Sequence, residues 1–160
     1  MPISRHAEQS EQTRRRLMDA TRDLVVARGW SAASSRAIAE RAGVNQALIN
    51  FHFDGKAGLF RETLDRCVRQ IENQFGPWMA ATSLSAYFDT CVKSIPGVRR
   101  NKNFKFLLAA MLEGAHDAKI KTAVIDQMNA FRDGLRVFLV GQGLPEEDVG
   151  RHTTIMAAAM

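Results

Sequence analysis

Apolar positions recur at three- and four-residue spacing along most of this chain, and no stretch alternates residue by residue as a half-buried strand would. The first such stripe predicts a helix from about Ser10 to Arg28. Leu17, Ala20, Thr21, Leu24 and Val25 face inward, and Arg14, Arg15, Arg16 and Arg22 stay in water. Residues 1–9 are expected to be a loose arm, from which Arg5 can reach a partner. Gly29 stops the helix, and Trp30 is placed to cover the small core beneath the next segment. A long helix is expected from Lys56 to about Gln74, with Leu59, Phe60, Leu64, Cys67, Val68 and Ile71 as its apolar stripe and Gly76-Pro77 as its end. Further helices are predicted near 83–95, 103–113, 118–140 and 146–160. Pro96-Gly97, Gly114 and the run Gly141 to Pro145 break them. Ile120, Val124, Met128, Phe131, Leu135 and Phe138 give the helix at 118–140 a core stripe. The fold class is therefore all-α.

Between these helices, residues Ser34 to Lys56 carry the chemistry. They predict two short helices joined by a sharp turn at Gly43, a residue free to take the positive φ that the reversal demands. Ser34 suits the N-cap of the first. Ile38, Ala39 and Ala42 form its apolar face, and Val44, Leu48 and Ile49 form that of the second. The free side of the second helix then carries Asn45, Gln46, Asn50 and His52, amide and imidazole groups suited to a polar partner. This is the pattern of a helix-turn-helix, which lays its second helix in the DNA major groove.

Thr13-Arg14, Ala20, Leu24, Gly29-Trp30, Ile38-Ala39, Ala42-Gly43-Val44, His52-Phe53 and Lys56 follow one another in fixed register. By these residues the segment from Thr13 to Phe60 resembles the DNA-binding domain of the TetR family of transcriptional regulators. The resemblance implies that Ser34 or Ser35 contacts the DNA backbone and that Arg36 meets a phosphate or a guanine edge. It places Gln46 at a base-reading position, beside Asn45, which reads a base or caps its own helix. Ala47 is short enough to meet a thymine methyl. Phe51 and His52 pack against or hydrogen-bond the phosphodiester backbone, and His52 can also serve the end of its own helix. Lys56, at a helix N-terminus, shares one phosphate with the backbone N–H groups around it. The chain departs from the family at Asn50, where a tyrosine is usual, and at Leu48, where a small or hydroxyl residue is common. Asn50 reaches a phosphate only if the backbone comes close, and otherwise reads a base.

The resemblance further implies a dimer that binds a palindromic double-stranded operator as a repressor and is released by a small-molecule effector. Residues 1–56 would form the helix-turn-helix domain, 57–75 a connecting helix, and 76–160 a helical effector-binding and dimerisation domain. Trp78, Phe88, Phe104, Leu107, Met111, His116, Met128 and Phe131 are candidates for an effector pocket suited to an apolar or aromatic ligand. Relatives usually continue into one more long helix, so the body is expected to be C-terminally shortened, with a weakened or relocated dimer contact.

Charge supports the division without carrying it. Residues 1–69 hold twelve Lys or Arg against eight Asp or Glu, and residues 70–160 hold ten against nine. The surplus lies with the helix-turn-helix, as a surface facing phosphates requires. No apolar run is long enough to span a bilayer and the N-terminus lacks a signal-peptide core, so a cytoplasmic protein is expected. Cys67 and Cys91 are isolated and expected to be reduced thiols. Glu113 and His116 make one Glu-x-x-His half-motif; without a second pair no metal is expected, and no cofactor. An enzyme would need a nucleophile–base pair, paired carboxylates or a metal cluster, and none stands at convincing spacing. The remaining alternative is a helical interaction module that has lost DNA binding.

Overall fold

Regular structure is helical throughout the described residues, with no strand among them. The computed structural model describes residues 5–79, 100–113 and 118–151, together with Ser83, Ser85, Ala86, Asp89, Thr90, Lys93 and Gly97. Helix α1 spans Arg5–Arg28, α2 Ser35–Ala42, α3 Ala47–Phe53, α4 Lys56–Met79, α5 Lys102–Glu113 and α6 Ala118–Gly141. A further helical segment covers 146–151.

Three expectations are corrected. The arm expected at residues 1–9 is helical from Arg5 onward. No glycine or proline interrupts residues 5–28, and Glu8 in the first turn with Arg28 in the last suit the helix dipole. Gly76-Pro77 does not end α4, which runs to Met79; so near the end, the proline deletes one hydrogen bond and little helix remains to disrupt. Pro96-Gly97 does not mark the break before α5 either, because Gly97 and Arg100 are helical. The break falls at Asn101, whose Oδ1 accepts from the backbone N–H of Asn103 at 2.8 Å and of Phe104 at 3.4 Å. Gly114 and residues 152–160 of the last expected helix lie outside the described residues.

The inward residues of α1 are those its pattern predicts, with Met18 added. One apolar cluster runs from Leu17, Leu24 and Val25 of α1 through Ile38, Ile49 and Phe53 to Leu59, Phe60 and Leu64 of α4. It continues into Phe106 and Ala110 of α5 and Ile120 and Val124 of α6. Each fully buried Leu, Ile or Phe in it contributes about 1.5–3 kcal/mol. Phe60 is the hinge of this core: its ring meets Trp30 edge-on, centroids 4.6 Å apart, and Phe106 at 5.2 Å. The same apolar spine thus passes from the helix-turn-helix into the helices behind it.

Polar contacts fasten α5 across α1 at both ends. The Asp23 carboxylate receives Arg41 of α2 at 3.1 Å, Lys102 of α5 at 3.3 Å and its neighbour Arg22 at 3.3 Å. Burial raises the Asp23 carboxyl more than any other single influence. The hydrogen bonds from Arg41 and Lys102, with the charges of Arg22 and Lys102, outweigh it and leave the carboxyl below its ordinary value. Arg22 also donates to Asn103 Oδ1 at 3.2 Å, and the Asn103 amide donates to Gln70 Oε1 at 3.0 Å. At the far end of α5, Glu113 Oε1 accepts from the Trp30 backbone N–H at 3.2 Å. Two arginines expected to stay in water are therefore half-buried structural ties: Arg22 here, and Arg14 in the site below.

Candidate nucleic-acid interface

The N-terminal helix-turn-helix is built by caps. Ser34 holds an extended backbone, and its Oγ accepts from the Ala37 N–H at 3.1 Å. Gly43 takes φ 66° and ψ 38°. From there its N–H donates to the Glu40 carbonyl at 3.1 Å, and that of Val44 donates to the Ala39 carbonyl at 3.1 Å. These bonds satisfy the last carbonyls of α2 and turn the chain sharply into α3. Asn45 Oδ1 accepts from the Ala47 N–H at 2.8 Å, so Asn45 caps the next helix with its side-chain oxygen and keeps its amide NH2 at the surface. Leu48 and Ile49 donate to the carbonyls of Asn45 and Gln46 and close the first turn.

Burial divides α3 cleanly. Ile49 and Phe53 are buried, and Val44 and Leu48 are half-buried against the core. Asn45, Gln46, Ala47, Asn50 and Phe51 are all exposed, Phe51 at 79%. Arg36 is exposed on the first turn of α2, beside half-buried Ser35 and exposed Ser34, and makes no ion pair among the described residues.

Two further predicted residues are held from behind. Arg14 donates from Nη1 to the His52 carbonyl at 2.7 Å, pairs with Glu62 of α4, and lies 4.7 Å over the Phe53 ring. It thereby satisfies one of the carbonyls that end α3 and neutralises its negative pole. The half-buried His52 imidazole is held below its ordinary pKa, first by burial and then by the Arg14 charge, and is neutral at neutral pH. Lys56 opens α4 with its ammonium 3.8 Å from the Trp30 ring centroid, donating to the Trp30 carbonyl at 3.3 Å. Its charge is thus engaged with the turn before α2, and a phosphate there would add to these contacts or replace them.

Sequence reasoning passed over Gly58. A Cβ added there would run into the Phe53 carbonyl oxygen, so only glycine lets α4 start this close behind α3. A glycine one turn into an otherwise apolar-periodic helix was the available signal.

The effector candidates divide differently. Phe104 and Leu107 on α5 and Met128 on α6 are half-buried, and Met111 is exposed. Leu107 and Met128 pack on the central cluster. The side chains of Trp78 and Phe131, and the residues Phe88, His116 and Cys91, lie outside the described residues. An open cleft of about 640 Å³ between α1 and α2 is lined by Arg16, Asp19, Asp23, Glu40 and Arg41, a polar groove unlike an apolar pocket. Cys67 is buried, and that burial pushes its thiol up to about 12. Among the described residues no group of His, Cys, Asp and Glu is arranged to hold a metal, and no helix is long and apolar enough to cross a membrane.

Residues 17–63 match the family profile described as "Bacterial regulatory proteins, tetR family". These residues form a segment of the TetR type. It holds the capped α2–α3 pair and most of the residues that brace it. The chain is 33% identical over 110 residues to the HTH-type transcriptional regulator BetI of Vibrio atlanticus, covering 66% of this chain and 55% of that protein. It therefore spans about half the length of that curated relative. Among solved structures, it resembles NalD of Pseudomonas aeruginosa, described as the secondary repressor of the MexAB-OprM multidrug efflux pump. The TM-score is 0.65 at 25% identity, over 88% of this chain and 71% of NalD. A Saccharomonospora viridis protein solved in complex with choline shares the fold, with a TM-score of 0.72 at 20% identity over 92% of this chain and 81% of that one.

Proposed function

We propose that this chain is a TetR-family transcriptional repressor that binds a palindromic operator as a homodimer and is released by a small-molecule effector. In this reading residues 1–56 bind DNA, 57–75 connect, and 76–160 bind effector and dimerise. The observation that carries it is the division of α3 into a buried rear face and an exposed front face of Asn45, Gln46, Ala47, Asn50 and Phe51. Side chains at the N-terminal end of such a helix meet base edges when it enters the major groove. Gln46 and Asn50 are assigned to bases, with Ala47 and Phe51 making apolar contacts. Ser34 and Ser35 at the start of α2 are assigned to the phosphate backbone and Arg36 to a phosphate or a guanine edge beside it, with His52 and Lys56 on the opposite rim. A two-fold dimer would set two such helices about 34–36 Å apart, one turn of B-DNA.

Release follows from the way α5 grips α1. An effector that fits a shifted α5 better than the one described here would pull on Asp23 and on the Trp30 turn together, and so tilt the head. An effector with equal affinity for both arrangements would shift nothing. Phe104, Leu107, Met111 and Met128, with Trp78, Phe88, His116 and Phe131, are the proposed effector contacts. The choline held by the Saccharomonospora viridis protein and the repressor role of NalD support both halves of the proposal.

Titration of a palindromic duplex selected by the protein tests it, with the binding stoichiometry and its salt dependence measured together. Two chains per duplex, and affinity that falls steeply as salt rises, are expected. One chain per duplex, or affinity indifferent to salt, would rule out the dimeric arrangement or the phosphate contacts respectively.

A further inference from the structure

The front face of α3 carries no charge. Residues 44–53 contain neither Lys nor Arg, Asp nor Glu. Its one ionisable side chain, His52, is held neutral by burial and by Arg14. Two guanidinium groups on α1 and α2 are also committed, Arg14 to Glu62 and the His52 carbonyl, and Arg41 to Asp23. What α3 presents is an exposed amide at Gln46, another at Asn50, the Asn45 amide NH2, the methyl of Ala47 and the ring of Phe51.

These groups are selective in the major groove. Guanine is read best by Arg or Lys at O6 and N7, and cytosine by a carboxylate that accepts from N4; α3 has neither. Adenine is read by Asn or Gln at N6 and N7, and thymine by apolar contact with its C5-methyl. Phe51 adds a physical argument. A ring exposed to this degree gains nothing from water and cannot hydrogen-bond a phosphate, so its gain on binding must come from apolar surface. Among the base edges of the major groove the apolar group on offer is the thymine methyl.

We infer that the half-site read by α3 is a run of A·T pairs, with adenines facing Gln46 and Asn50 and a thymine whose C5-methyl packs on Phe51 and Ala47. This rests on the DNA-binding function proposed above and deepens it. Guanine recognition is left to Arg36 at the edge of the half-site.

The test selects binding sites for the full chain from a pool of random-sequence duplexes, then replaces thymine by uracil one position at a time in the selected site. Uracil keeps every hydrogen-bonding group and removes only the methyl. The selected half-site is expected to be A·T at its centre. A single uracil replacement, in one half-site only, should weaken binding about fourfold, the worth of one buried methyl. In Phe51→Ala the same replacement should cost much less, what remains being the Ala47 contact, whereas Phe51→Leu, still apolar, should keep more of the sensitivity. A well-defined selected site with G·C pairs at its centre would overturn the inference and leave DNA binding standing. So would a Phe51→Ala chain that discriminates thymine from uracil as strongly as the parent. Failure to enrich any sequence would remove sequence-specific DNA binding itself, and the inference with it.

Discussion

The two ends of this molecule expose opposite things. The head, α1 to α3 with the start of α4, turns polar and charged groups and one aromatic ring outward, and ties Arg14, Arg22 and Arg41 to carboxylates. The helices behind it leave large apolar side chains in water: Leu108, Met111 and Leu112 on α5, and Ile125, Val137 and Val140 on α6. A polar group gains from a partner of defined geometry, so the head's surface describes what it binds. An apolar group accepts any surface that excludes water, so the body's surface says only that it is coverable. The boundary between the two is mechanical as well as chemical, because α5 belongs to the body yet is bonded to the head at both its ends.

The largest expected effect comes from closing the gap that lets α4 start beneath α3. Gly58→Ala should destabilise the head by about 3 kcal/mol or more, because the added methyl meets backbone and no side-chain rotation can relieve it. Thermal unfolding would register the loss, and duplex binding should fall with it. A Gly58→Ala chain as stable as the parent would show that the two helices are not so closely apposed.

Next is the grip of α5 on α1. Asp23→Ala leaves Arg22, Arg41 and Lys102 facing one another without their shared carboxylate, at an expected cost of about 1–3 kcal/mol. The folded carboxyl lies below its ordinary value, so its contribution is present above the unfolded value near 3.8 and fades as pH falls through the folded value. Acid unfolding should accordingly move to higher pH in Asp23→Ala. If it does not, the Asp23 contacts add nothing measurable to the hold of α5 on the head.

Those two predictions mark where sequence was silent. The caps were legible because their signals are local: Ser34 stands three residues before the N–H it accepts from, and Gly43 follows directly on the helix it ends. The inward faces of α1 and α4 were legible from spacing. The Arg14 bond to His52 joins residues 38 apart in sequence, and the Asp23 contact with Lys102 joins residues 79 apart. No periodicity encodes such pairs, so Arg14 and Arg22 of α1 were assigned to water when they are structural. The same limit hid the seat of Lys56 on Trp30, and made Pro77 look like a helix end when the turn around it continues.

A smaller effect is expected from acid between the carboxylate and neutral ranges. The folded His52 pKa is lowered from 6.5, so over that interval the unfolded chain takes up the proton more readily. Stability is therefore lost as pH falls below 6.5, and His52→Gln should flatten that part of the pH–stability curve. Bound DNA should act in the opposite sense, since a phosphate near the imidazole favours its charged form. The smallest effect belongs to Cys67: with its thiol at about 12 and its side chain buried, it should resist alkylation at neutral pH until the chain unfolds.

The central claim is that the exposed front of α3 is the surface that meets bases. It is tested most directly by the affinity of Gln46→Ala for the selected duplex, measured at fixed salt beside the parent chain and beside Val137→Ala on the far exposed face of α6. Loss of one bidentate amide–adenine pair should weaken Gln46→Ala by about 1–3 kcal/mol, with thermal stability unchanged and Val137→Ala binding as the parent does. Equal affinity in all three chains would contradict the assignment.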